Sequence, residues 1–115
     1  MLKAYSLRLI KIVLLGVVMD KRERILKVIY EGIDDYNLDL PETEHIHKAL
    51  DTVLFDTIDG ILDSVGFLTL STAIEKRIAA EFCQAFALFT PDIFSREDKP
   101  LRTVGSLVGY LEGKL

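Results

Sequence analysis

Ser64, Cys83 and the pair His45 and His47 are the side chains of this 115-residue sequence whose types and spacing suit chemistry. Two histidines two apart on an extended chain would point to one side, and with Glu44 beside them they form the beginning of a zinc site. Zinc needs further ligands at suitable spacing, and none follows, so two solvated loop histidines are the favoured reading. Cys83 could serve as a thiolate nucleophile with one of those histidines. Its neighbours Phe82, Ala85 and Phe86 favour instead a partly buried, inert thiol. The single cysteine excludes an internal disulfide framework and points to a reducing compartment. The acids from Asp51 through Asp56 and Asp59 to Asp63 form an anionic run, but their spacing does not fit a helix-loop-helix calcium loop. Gly105, Gly109 and Gly113 lack phosphate-loop spacing and are read as allowing close packing in the last helix.

Ser64 is the most informative of these residues. It follows Asp63 at the mouth of an expected helix, where the first backbone N–H groups lack intrahelical partners. Those donors and the helix dipole favour negative charge, so a phosphate ester on this serine would be stabilised there. A serine at this position also caps helices, and the local pattern leaves both roles open. No histidine or lysine lies within a helical turn of Ser64 to act as its general base, so an acceptor suits it better than a nucleophilic catalyst.

The elements that must hold Ser64 are helical. Asp20 followed by Glu23 has the pattern of an N-cap and its reciprocal partner. Behind it Ile25, Leu26, Ile29, Ile33 and Tyr36 recur at three- and four-residue steps, while Arg22, Lys27, Glu31 and Asp34 are left to face water. This predicts a first helix from about Asp20 to Tyr36, ended by Asn37, Asp39 and Pro41. A long connection runs from Asn37 to Leu62, with a short helical turn within Glu42 to Leu50 and with Ile46, Leu50, Val53, Leu54 and Phe55 as anchors to the core. A second helix starts at Asp63-Ser64, with Phe67, Leu70, Ser71, Ile74, Ile78 and Phe82 on its core side. Glu81 to Thr90 extends that helix, lines a pocket or enlarges the core through Phe82, Phe86 and Phe89, the last being favoured. Thr90-Pro91 opens a short third helix. Pro100 and Thr103 lead to a final helix with Val104, Leu107, Val108 and Leu111 as its apolar stripe. The expected fold class is therefore all-α, a four-helix bundle with a long loop between helices 1 and 2 and a short third helix.

Within that frame Leu62-Asp63-Ser64-Val65 resembles the Asp-Ser-Leu signature of the acyl carrier protein family. The likeness extends to the capped first helix, the long loop, Ala73-Ile74-Glu75 and the Leu101-Arg102-Thr103-Val104 start of the last helix, covering about Asp20 to Leu111. The resemblance implies that Ser64 carries covalent 4'-phosphopantetheine, installed from coenzyme A by a phosphopantetheinyl transferase with magnesium. It implies a non-enzymatic carrier that holds acyl or aminoacyl groups as thioesters for acyl-loading and acyl-using synthases, in fatty-acid or specialised lipid or secondary-metabolite biosynthesis. It also implies partner docking through Asp63, Val65, Thr69, Thr72 and Glu75. Thr69 and Thr72 are neutral and Lys76-Arg77 reverse the charge, which departs from the family's acidic docking helix and directs the expectation to a dedicated partner. The alternative is a small helical interaction module in which Ser64 is only a cap.

Composition sets the remaining bounds. The formal net charge is -4, with no cationic stripe, which argues against nucleic acid as a partner. Residues 1–18 carry Lys3, Arg8 and Lys11 and no acid, whereas all 18 carboxylates lie from Asp20 onward. The apolar run Ile12 to Val18, broken by Gly16, is too short to span a bilayer, so no stable membrane insertion is expected. An extended or misassigned start is favoured for residues 1–18 over an export signal or a membrane-surface helix. Residues 19–115 then form the carrier domain, expected to be a cytoplasmic monomer without a bound metal.

Overall fold

The computed structural model describes residues 20–55, 64–88 and 90–115, with Ser64 and Phe94 described by their backbone. The expectations for residues 1–19, for Asp56 to Asp63 and for Phe89 lie outside the described residues. Among the described residues four α-helices follow one another: α1 (Lys21–Asn37), α2 (Ser64–Phe82), α3 (Pro91–Ser95) and α4 (Val104–Lys114), with a 3-10 turn at Glu42–Glu44. The fold is all-α, with no strand among the described residues; one isolated antiparallel bridge joins Val53 to Thr103. No described helix is long and apolar enough to cross a membrane.

α1 begins where the Asp20 carboxylate accepts the Glu23 backbone N–H at 2.8 Å. This satisfies one of the donors that a helix start leaves unpaired. Ile25, Val28, Ile29 and Ile33 are buried along one face, with Leu26 and Tyr36 partly buried at its margin. α2 lies antiparallel to α1 and contributes Phe67, Leu70, Ile74 and Ile78 to the same core. The buried Ser71 hydroxyl donates to the Leu68 carbonyl, so its polar group is not stranded. Closure between the two helices is tight at one point. A Cβ built on Gly32 would lie 2.6 Å from Ile74 Cγ1 and 3.3 Å from its Cα, so the glycine admits the neighbouring backbone.

Ion pairs run along the seam. Arg77 of α2 holds Asp35 through two parallel hydrogen bonds of 3.0 and 2.9 Å and reaches Glu31 at 2.9 Å. Glu31 is therefore half-buried in a cross-helix pair rather than simply hydrated, as its place on the polar side of α1 had suggested. Arg24 bonds the Glu81 carboxylate at 3.1 Å and its backbone carbonyl at 3.0 Å, and its guanidinium lies over the Phe82 ring. It thus places a positive charge at the C-terminal end of α2, whose own last turn has no basic residue.

The long connection is tied down at both sides of the bundle. The Asn37 side chain pairs with both backbone groups of Ile46, accepting its N–H at 2.8 Å and donating to its carbonyl at 3.0 Å. Further on, Leu54 and Phe55 N–H donate to the carbonyls of Arg102 and Leu101, while Val104 and Gly105 N–H donate to those of Thr52 and Leu50. Ile46 and Leu54 enter the core as the sequence suggests, but Leu50 is 45% exposed, because its backbone rather than its side chain makes the anchoring contact. Helical structure within Glu42 to Leu50 is limited to the 3-10 turn. α3 starts with Thr90 as N-cap and Pro91 at its first position. α4 begins in a capping box, with Thr103 and Ser106 exchanging side-chain-to-backbone bonds, and buries Val104, Leu107, Val108 and Leu111.

Two sequence expectations are corrected here, for Cys83 and for the glycines of α4, and one is refined. Cys83 is exposed, because α2 stops at Phe82 and Cys83 adopts a left-handed conformation (φ 51°) that turns the chain away from the helix axis. The stretch from Phe82 to Leu88 does enlarge the core: Phe82 and Phe86 pack against it partly buried, Phe86 meeting Tyr110 edge-on at 6.5 Å between ring centres, and Leu88 is fully buried within it. Gly105 does meet a close neighbour, the Leu50 carbonyl, but Gly109 and Gly113 have open space where a side chain would stand.

Candidate functional site

Ser64 is the first residue of the 19-residue helix α2, with the long connection preceding it. The first turn of α2 contains no acidic residue, so no like charge within that turn opposes an anion at its positive end. A phosphate ester on Ser64 is compatible with this setting.

Beyond Ser64, the exposed side of α2 is uncharged for more than two turns. Val65 is 73% and Leu68 48% exposed, and Thr69 and Thr72 stand beside them at helical spacing, opposite the buried Phe67, Leu70 and Ile74. The Thr69 hydroxyl donates to the Val65 carbonyl at 3.0 Å and that of Thr72 to the Leu68 carbonyl at 2.8 Å. Both hydroxyl protons are therefore used within the helix. A shallow groove continues the face, lined by Leu68, Thr69, Thr72 and Ala73 and bordered by Asp35 and Lys76.

The charges nearby are largely engaged elsewhere. Glu75 is half-buried and accepts the Leu88 N–H at 2.6 Å, tying the segment after α2 back to the helix. Arg77, one of the two cations that reverse the sign of the helix, is occupied by Asp35 and Glu31 of α1. Its paired hydrogen bonds hold the Asp35 carboxyl below the usual carboxylate range, with smaller contributions from the charges of Arg77 and Lys76. Lys76 is exposed and has no ion pair among the described residues.

Of the sequence-derived docking residues, Val65, Thr69 and Thr72 share this face, Glu75 turns toward Leu88, and Asp63 lies outside the described residues. Leu68 was missed. Its exposure follows from the helical phase, since it stands one residue after the core position Phe67 and three after Val65.

The other candidates are not brought together. A His45 ring nitrogen donates to the Leu40 carbonyl at 2.7 Å, and both histidines are exposed. No group of three or more metal-ligating side chains occurs among the described residues. No family model, curated protein or solved structure matches this chain.

Proposed function

We propose that this protein is an acyl carrier, with Ser64 as the attachment site of 4'-phosphopantetheine. The observation that carries the reading is the place of Ser64 as first residue of α2, followed by a first turn free of acids and an exposed, uncharged face. The resemblance of the Leu62-Asp63-Ser64-Val65 segment supplies the identity of the group. A phosphopantetheinyl transferase would join the serine oxygen to the phosphopantetheine phosphate of coenzyme A. The pyrophosphate bond breaks, adenosine 3',5'-bisphosphate leaves, and the transferase takes the serine proton. Once bound, the arm supplies a terminal thiol for acyl or aminoacyl thioesters, on which loading and synthase enzymes act. The chain itself presents the serine, carries the arm and offers the contact surface, so it is a carrier inside the cell and not an enzyme. Tethering raises the local concentration of cargo at a docked partner.

Intact-mass measurement tests the reading. After incubation with coenzyme A, magnesium and several broad-specificity transferases, the wild type gains one phosphopantetheine mass and Ser64→Ala gains none. No gain with any transferase would leave the second reading, an interaction module in which Ser64 only caps α2. That reading is favoured by the exposure of Val65 and Leu68 alone.

A further inference from the structure

We propose that the transferase that modifies Ser64 docks on α2 through an apolar surface whose one charged group is a carboxylate placed to meet Lys76. This rests on the carrier reading and adds the chemistry of the partner to it. The exposed side of α2 that follows Ser64 carries Val65 and Leu68 as exposed apolar groups, and Thr69 and Thr72 with their hydroxyl protons already donated. No formal charge occurs in the sequence from Ser64 to Ile74. Glu75 is held by the Leu88 N–H and Arg77 by Asp35 and Glu31, so neither is available to steer a partner. Lys76 completes the same side of the helix and stands at the rim of the groove floored by Leu68, Thr72 and Ala73. A basic docking surface would meet one anion at the groove's border, Asp35, whose carboxylate Arg77 already holds, and one cation, Lys76, at its end. An apolar surface would cover Val65 and Leu68 without stranding a charge, and a carboxylate would complement Lys76. Leu68 and Lys76 are thus residues that determine which enzyme can act on the serine.

The test compares two transferases, one docking through a basic surface and one through an apolar surface, on the full chain at 50 and 500 mM NaCl. The readouts are intact mass and kcat/KM for coenzyme A-dependent modification. The apolar-surface enzyme is expected to be at least tenfold more efficient and to change less than twofold with salt. Leu68→Asp lowers its efficiency about tenfold with the helical circular dichroism unchanged. Leu68→Gln lowers it in the same direction, should the aspartate disturb folding. Lys76→Glu lowers it severalfold. Greater efficiency of the basic-surface enzyme, a fivefold or larger loss in high salt, or no effect of the Leu68 variants while Ser64 is still modified, overturns this inference and leaves the carrier reading standing. Absence of modification in every arm overturns both. Sedimentation equilibrium reads the same samples for self-association. A dimer dissociated by Leu68→Asp would assign the face to a second copy and overturn the inference as well.

Discussion

At the scale of single residues, the arrangement around Gly32 decides how closely the two long helices approach. A methyl group there would press on the Ile74 side chain and backbone at 2.6 and 3.3 Å, and backbone cannot rotate aside as a side chain can. Gly32→Ala should therefore destabilise the fold by about 1–3 kcal/mol, the usual cost of overpacking, despite the better helix propensity of alanine. Thermal unfolding followed by circular dichroism measures this, and an unchanged or raised Tm would show that the helices can move apart freely. Glycine contributes no side chain to a hydrophobic period, which is why apolar spacing in the sequence marks Ile29 and Ile33 and not Gly32. Cys83 was misread for a related reason. Its aromatic neighbours suggest burial only if the helix continues, and the left-handed turn at Cys83 itself ends it. The role of Glu75 was equally hidden, because its partner is a backbone N–H thirteen residues away.

At the scale of elements, α1 and α4 were legible because their starts use side chains with a definite capping chemistry, Asp20 and Thr103, and their core faces are uninterrupted. α2 was legible in its core face, and Ser64 at its first position followed from the pattern behind it. The partners of the charged residues were not. Arg77 reads in sequence as part of a basic pair on an exposed helix, whereas in the fold it joins α2 to α1 through Asp35 and Glu31. The pairing has a pH signature. The Asp35 pKa is lowered in the folded state, so its contribution is present above the carboxyl's ordinary value near 4 and is lost as pH falls through the lower folded value. The stability advantage of wild type over Arg77→Met should be steady from pH 7 to 5 and shrink below about pH 4. Parallel melting curves at a series of pH values check this; an advantage that grows on acidification would contradict the assigned pairing.

At the scale of the whole molecule, α1 packs most extensively on α2 and more lightly on α4, and the long connection binds the start of α4 by backbone hydrogen bonds. The loop and the last helix should therefore open as one unit. In native-state hydrogen exchange, the amides of Leu54, Phe55, Val104 and Gly105 are expected to share one opening free energy and to respond together to Leu107→Ala. Divergent exchange among the four would separate the loop from α4. Since this strap is made of main-chain donors and acceptors, the identity of the attached side chains matters little to it. Leu50, exposed and anchored by its carbonyl, can change among residue types over evolutionary time while the geometry persists, proline being unable to replace Leu54, Phe55, Val104 or Gly105 without deleting a donor. Descendants of this chain could thus vary the exposed positions of the connection and, while Asn37, Ile46 and Leu54 keep their places, still tie it to the last helix in the same way.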